Sequence, residues 1–388
     1  MKRLDDNYLG KVTQLRRSLH AAPELAYQEH ETAKTVCNWL KACNLEVFSG
    51  IGGTGVVGVL RRGSSGRAIG LRADMDALPI QEATDLAYRS AVPGRMHACG
   101  HDGHVAMLLG AAGVLSTEGG FDGTVHFVFQ PAEEGGAGAK RMIEDGLFQR
   151  FDMQSVYSLH NWPDLPKGVI ALRPGPVMGA SFRFRVVVTG RGAHAATPHQ
   201  GIDPIPVVCA TVQALQTVVA RECSASDSVV ISVTQLGGGE ALNVVPQTAW
   251  FAGTARVSSP ATEARVREAL RRTATAIAQA HGATAAVEVH AGYPATVNSP
   301  AETRNCVEAA ERVFGVDGVR ADVPVCLTTE DFGYMLAEKP GAYALLGGGG
   351  REGAPGLHNP HYDFNEEILS LGIRYWVELT RSILKESK

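Results

Sequence analysis

Three apolar, strand-like runs in the first 160 residues each end on side chains that bind metals or move protons. Residues 68–73 run into Asp74-Met75-Asp76, residues 125–130 into Pro131-Ala132-Glu133-Glu134, and residues 155–159 into His160. Helix-periodic segments lie before and between them. Leu4, Tyr8, Val12, Leu15 and Leu19 mark a helix that must end by Pro23, and Ala33, Val36 and Leu40 mark a second over 28–42. Residues 103–115 and 137–145 supply two more. Strands alternating with helices predict a largely parallel sheet covered on both faces. Such sheets bind ligands outside the carboxyl ends of their strands. An α/β fold of this kind gathers Asp74, Asp76, Glu133, Glu134 and His160 along one edge.

Near Met178 the texture changes. Strand patterns over 182–189, 229–235, 248–257 and 285–290 alternate with helical patterns over 203–222 and 262–281. The order β-α-β-β-α-β is the split, ferredoxin-like α+β unit. It predicts an inserted domain over 179–294 and a discontinuous first domain over 1–178 and 295–388. A chain of 388 residues is long enough for two cores. The first domain resumes with a helix over 301–314, a strand over 343–346, a loop carrying His358, and a helix over about 366–384.

A net charge of −4 offers no basis for nucleic-acid or polybasic membrane binding. The longest apolar run, 105–115, is too short to cross a bilayer. The charged first 31 residues lack an apolar signal-peptide core. Seven cysteines without framework spacing point to free thiols and a cytoplasmic address. Cys37 and Cys209, inside helical patterns, read as buried small hydrophobes.

The densest chemistry is M-H-A-C-G-H-D-G-H, residues 96–104, which holds three of the 13 histidines. Cys99 and His101 are half a metal site, since a metal takes roughly four ligands. Glu134, His160 and His358 can complete the set. Five ligands suit two ions about 3.5–4 Å apart with Cys99 shared between them. The mixed shell accommodates zinc, manganese, cobalt or nickel. Glu133, beside a ligating Glu134, can stay unbound and act as general base. Asp76 is a candidate orienter, because ligating histidines donate their other N–H to a carboxylate or carbonyl. His97 and His104 read as structural or supporting, and Asp74 and Asp102 equally as helix or turn caps. Periodicity selects nothing in the insertion: His194, a lone histidine after a strand, reads on that ground as structural, and the same holds for Asn243 and Arg256.

A resemblance adds to this. The strings L-R-R-S-L-H-A-A-P-E-L, L-R-A-D-M-D-A-L-P-I, M-H-A-C-G-H-D-G-H, F-Q-P-A-E-E-G-G-A-G-A, S-L-H-N-W-P, G-R-G-A-H-A-A-T-P-H, A-L-N-V-V-P, G-T-A-R, T-E-D-F and L-H-N-P-H-Y-D-F-N-E-E occur in this order nearly end to end. In them the chain resembles the metal-dependent N-acyl-amino-acid amidohydrolases, which include hippurate hydrolases, aminoacylases and auxin-conjugate hydrolases and are related to zinc aminopeptidases and carboxypeptidases. The resemblance implies a zinc-peptidase-like catalytic domain with an inserted dimerisation or lid domain, and a homodimer or homotetramer formed through it. It implies that Cys99 bridges two divalent ions also held by His101, Glu134, His160 and His358, and that Glu133 is the base and proton shuttle. His194 would stabilise the oxyanion in the partner subunit's site, while Asn243 and Arg256 would help hold the substrate carboxylate. The implied reaction is hydrolysis of an N-acyl amino acid, hippurate-like or N-acetylated. The alternatives are a dipeptidase or carboxypeptidase, a deacetylase of an acetylated biosynthetic intermediate such as N-acetyl-diaminopimelate, a thiol hydrolase using Cys99 as nucleophile, and a non-catalytic binding protein.

Overall fold

The computed structural model describes residues 4–349 and 354–386. The chain forms two compact units, one of Met1–Gly175, Val297–Val323 and Asp331–Lys388, the other of Pro176–Thr296 and Pro324–Glu330. In chain order the first unit begins with α1 (Asp6–Ala21), α2 (His30–Ala42), β1 (Glu46–Ile51), β2 (Gly55–Arg62) and β3 (Ala68–Asp74). It continues with α3 (His101–Glu118), β4 (Gly123–Gln130), α4 (Gly138–Glu144) and β5 (Ser155–Pro166). The second unit contributes β6 (Ala180–Thr189), α5 (Pro204–Glu222), β7 (Val229–Gly238), β8 (Thr248–Val257), α6 (Pro260–Ala280) and β9 (Thr284–Ala291). The first unit then closes with α7 (Pro300–Phe314), β10 (Gly341–Gly349) and α8 (Leu369–Ile383).

The first unit's sheet runs β1-β2-β4-β3-β5-β10, followed by the two-residue strands Ile170–Ala171 and Val319–Arg320. Its centre is parallel, β4 to β3 to β5 to β10. One side is antiparallel, because β1 and β2 form a hairpin edge against β4. Strand β1 runs into the Gly-rich stretch that begins at Gly50. Positive-φ Gly50 lies inside β1 at the register shift between Ser49 and Ile51, while Gly52 and Gly53 form the hairpin turn.

Helix α3 is buried from His101 to Leu115. A helix apolar on every side must sit inside the protein; this one packs against α1, α2, α8 and β3. Small residues make the fit possible. A methyl group at Gly103 would lie 2.3 Å from the Phe364 ring, and one at Gly110 would lie 2.7 Å from Ile373. The N-terminus of this core helix therefore arrives at the carboxyl edge of the sheet, beside the ends of β3 and β4.

The second unit has a four-stranded antiparallel sheet in the order β7-β8-β6-β9. Its residues alternate cleanly: Phe182, Phe184, Val186 and Val188 of β6 and Phe251, Ala255 and Val257 of β8 are buried, under α5 and α6. Asp203 caps α5 at the Ile205 N–H, and Ser259 caps α6 at the Thr262 N–H. Two thiols depart from the expectation of burial: Cys37 is half-buried and Cys209 is exposed on α5. A helical pattern fixes the face of a residue only when the whole stripe is apolar. All seven cysteines are free. Among the described residues no helix is long and apolar enough to cross a membrane.

Candidate metal and catalytic centre

The first unit brings Cys99, His101, Glu133, Glu134, His160 and His358 to one edge of its sheet. Ligand atoms of Cys99, Glu134 and His358 lie within 4.8 Å of one another, as do those of His101, Glu133 and Glu134. Cys99 Sγ is 3.4 Å from His160 Nε2, and Glu134 Oε1 is 3.1 Å from His358 Nε2. The backbone that does this is tightly specified. Met96 pairs with Leu78 through two hydrogen bonds of 3.0 Å, and His358 donates its N–H to the Ala98 carbonyl at 2.8 Å. Gly100 caps α3 at φ +87° between Cys99 and His101, and a Cβ there would meet Asn161 Nδ2 at 2.4 Å. Ala132 at φ 54° and His358 at φ 63° hold left-handed conformations that L-residues adopt at a cost. The buried Glu29 carboxylate offsets the first by accepting the Ala132 N–H at 2.8 Å.

Hydrogen bonds set the tautomers of the histidines. His101 donates Nδ1–H to the Asp76 carbonyl at 2.8 Å, and His160 donates Nδ1–H to the Asn161 carbonyl at 2.7 Å. Both rings then present Nε2. Buried His101 Nε2 and Glu134 Oε1 have no well-formed hydrogen bond, an arrangement that is costly unless something else satisfies them. His104 falls within ligand distance of Asp74, His101 and His160, yet both of its nitrogens are engaged. Its Nδ1 is 2.6 Å from Asp74 Oδ1, and its Nε2 accepts the Asn161 N–H at 2.9 Å. It supports rather than ligates. His97 is buried with neither nitrogen bonded, and burial lowers its pKa to about 4.

Asp76 acts on the glutamate pair. Its Oδ1 accepts the Glu133 N–H at 3.0 Å and its Oδ2 accepts the Glu134 N–H at 2.9 Å, while its carbonyl holds His101. One residue thus orients two adjacent carboxylates and a histidine. Neither Asp74 nor Asp102 is a helix cap. Asp74 is buried between Arg72 Nη1, at 2.8 Å, and His104. Asp102 lies inside α3 and meets Arg16 Nε and His20 Nδ1, each at 2.8 Å. Gly100 occupies the cap, because the sharp turn into α3 requires a positive φ there.

The electrostatics fit a cation. Burial pushes the Cys99 thiol well above its ordinary value, and Glu134 adds to the shift. Burial opposes protonation of His101, but Asp74 and Cys99 raise its pKa well above the usual value all the same. A thiolate and carboxylates crowded in a dry site call for positive charge, and a divalent ion supplies it. The sulfur, imidazole and carboxylate donors match borderline transition metals.

Sequence reasoning missed four supports. Asn161 donates Nδ2–H to the Cys99 carbonyl at 2.7 Å, and Tyr362 Oη donates to Asn161 Oδ1 at 2.5 Å. Buried Arg72 bonds Asp331 at 3.1 Å, and the Asp331 N–H points at Glu133 Oε1 at 3.4 Å. All four fall inside strings that carry the family resemblance, but only Asn161, next to His160, has a local pattern that points to the site; Arg72, Tyr362 and Asp331 come from distant segments.

His194, Asn243 and Arg256 belong to the second unit. His194 sits in the short strand Ala193–His194, opposite Val244, and its Nδ1 accepts the Ala196 N–H at 3.0 Å. Asn243 is its neighbour, since the Asn243 carbonyl accepts the Ala195 N–H at 3.0 Å. Arg256 is elsewhere and donates to Thr329 Oγ1 at 3.2 Å. The register separates them: Arg256 opposes Ser181, whereas Thr248 opposes Thr189, the end of β6 just before the His194 loop. Eight strand residues at ~3.3 Å each put roughly 26 Å between the two ends.

An α/β unit with a Cys/His/Glu cluster at its sheet edge, joined to an antiparallel α/β unit, defines a metal-dependent hydrolase. The chain belongs to peptidase family M20/M25/M40, whose model matches residues 70–382. It is 38% identical over 376 residues to a hippurate hydrolase of Campylobacter jejuni, covering 97% of each chain. It is 36% identical over 386 residues to an N-acetylcysteine deacetylase of Bacillus subtilis, covering 99% of this chain and all of the other. The structure superimposes on a dinuclear metal-binding peptidase of the M20 family from Bacillus subtilis with a TM-score of 0.86, at 34% identity, covering 98% of this chain and 99% of the other. The chain is a metal-dependent amidohydrolase.

Proposed function

We propose that this enzyme hydrolyses the amide of N-acyl amino acids with Glu133 as general base, in a centre where Cys99, His101, Glu134, His160 and His358 hold two divalent cations and share Cys99. The observation that carries the reading is the clamp at Asp76, which fixes two neighbouring glutamates side by side. Glu134 turns to His358, and Glu133 is left toward Asp331. A storage site would have no use for the second carboxylate. Zinc, manganese, cobalt and nickel all suit the donors. Bound there, the cations polarise the amide carbonyl and make water acidic enough to deprotonate near neutral pH. Glu133 takes the proton from the attacking water and gives it to the amine as the C–N bond breaks, leaving a carboxylate and a free amino acid. Arg256 binds the substrate carboxylate, and His194 donates to the developing oxyanion.

The ~26 Å between the two ends of one sheet supports a division of labour between chains. If Arg256 and His194 serve the same small substrate, His194, and Asn243 beside it, come from a partner subunit, and the active form is at least a homodimer. A thiol mechanism is disfavoured, because reactive cysteines have lowered pKa values and that of Cys99 is raised. Seven free thiols suit a reducing compartment such as the cytoplasm. Glu133→Gln is the decisive test: metal content by elemental analysis stays at the wild-type level while turnover of N-acetyl and N-benzoyl amino acids falls by about 10²–10⁴. Wild-type turnover in that variant would overturn the assignment.

A further inference from the structure

The segment between α1 and α2, in the first unit, carries one residue in an unusual conformation. Tyr27 has φ 61°, which a bulky side chain adopts at a cost. Its side chain is exposed, at 39%, so burial does little to offset that cost. What the conformation gains is a contact: Tyr27 Oη donates to the Gly136 carbonyl at 2.7 Å. The ring also lies over two glycines, where a Cβ at Gly136 would meet it at 3.1 Å and one at Gly53 at 3.3 Å. Two residues on, buried Glu29 reaches the same stretch from its other end. Its Oε1 accepts the Ala132 N–H at 2.8 Å and its Oε2 accepts the Thr54 hydroxyl at 2.5 Å. Glu29 is the cap residue of α2, yet its side chain does not cap the helix. Glu24 does that instead, accepting the Glu31 and Thr32 N–H groups at 3.1 and 2.8 Å, which leaves the Glu29 carboxylate for Ala132.

Residues 27–29 therefore grip both ends of the span 132–136, which contains Glu133 and Glu134. Among the described residues five non-glycines have positive φ, and three of them, Tyr27, Ala132 and Ala137, lie in or beside this contact. Asp76 fixes the amides at the front of the span. Behind the glutamates come Gly135, at φ 85°, and Gly136, the residue type most able to swing. The Tyr27 hydroxyl restrains them. A ligating Glu134 is also held at its carboxylate by the cation, whereas a general base is not fixed as a ligand and its place leans more on the backbone. We propose that Tyr27 is a positioning residue for Glu133: its hydrogen bond to Gly136, with Glu29 as the fixed end of the grip, keeps the base where it meets the attacking water. The inference rests on the reading of Glu133 as general base.

The test is Tyr27→Phe, which keeps the ring over both glycines and removes the hydroxyl alone at an exposed position. In the metal-loaded enzyme kcat on N-acetyl and N-benzoyl amino acids should fall about three- to tenfold, the worth of one ordinary hydrogen bond. KM, metal Kd by titration and the urea midpoint should stay at their wild-type values. An unchanged kcat per metal-loaded site overturns the inference, whether or not stability drops. A loss of metal affinity that accounts for the lost rate also overturns it, since the hydroxyl would then serve the ligand Glu134. The same substitution in the Glu133→Gln background should cost almost nothing, because the base it positions is gone. An equal loss in both backgrounds shows that Tyr27 acts by another route and overturns the inference while leaving Glu133 as base. Wild-type turnover of Glu133→Gln by itself overturns the reading beneath, and this inference with it.

Discussion

Asp76 in the first unit and Arg183 in the second handle their charge in opposite ways. The buried Asp76 carboxylate has each oxygen matched to a backbone N–H of the glutamate pair. Arg183 stands in solvent with no carboxylate beside it. The first unit satisfies most of its buried polar groups internally, and His101 Nε2 and Glu134 Oε1 in the cluster are among the few buried atoms left without a well-formed hydrogen bond. The second pairs charges between its helices, as in Arg272 with Glu222, and leaves Arg183 exposed on its sheet face. Burial makes the first arrangement rigid and costly to disturb. Exposure makes the second cheap to change.

The comparison can be broken at several points. Cys99→Ala should be the most damaging change. Metal content and turnover fall together, by more than the roughly 10–100-fold typical of removing an outer partner of a ligand; an active, fully metallated variant would show that Cys99 is not shared between ions. His194→Ala should cost about 10²–10³ in kcat, the usual effect of losing one oxyanion donor. Mixing exchanged His194→Ala and Glu133→Gln subunits should then restore part of the activity. Failure to restore any would put His194 to work within its own chain. Asp76→Asn replaces one acceptor by a donor facing an N–H, and should lower metal affinity or activity by about 10–100-fold; a titration with metal measures it, and unchanged affinity and rate would make the clamp dispensable.

The smallest effect concerns stability alone. His126, on β4, is buried, and its pKa is lowered to about 4 by burial, with Arg61 adding to the shift. Unfolded, it titrates near ~6.5. Between these values the unfolded chain binds more protons, so stability is full above pH ~6.5 and falls as pH drops toward 4. At 1.36 kcal/mol per pH unit the loss is about 3 kcal/mol. His126→Phe should flatten that part of the pH–stability curve in urea unfolding. An unchanged slope would mean that burial of this ring does not set the acid limit. The result sharpens the comparison by isolating what burial costs where no ligand is in play.

Much of the first unit was legible because strands deposit their last residues at a shared edge. Asp76, Glu133 and Glu134 follow the ends of β3 and β4, and that periodicity is local; His160, expected just past a strand, lies inside β5, which runs on to Pro166. The β1–β2 hairpin was less legible, since glycines in its turn disguise a strand as a loop. The network behind the ligands was invisible for another reason. Arg72 reaches Asp331 259 residues away, and Tyr362 reaches Asn161 201 residues away; no window of sequence contains both partners. In the second unit the strand and helix order was plain from alternation. The carboxylate-holding role of Asn243 and Arg256 came only from the resemblance, and alternation could not show that the two residues sit at opposite ends of the sheet.

Helix α3 has a consequence for how such a chain can diverge. Its first residue is the proposed ligand His101, and its next fourteen are packed on every side. A substitution at Gly110, two and a half turns from His101, presses on Ile373 and has no route to relax except along the helix axis. Mutational drift in this core is therefore filtered twice, for folding and for the position of His101. The inserted unit's open face carries exposed side chains such as Arg183, which no core packing constrains. Over a lineage, the helix and its glycines should stay fixed while exposed positions such as Arg183 vary.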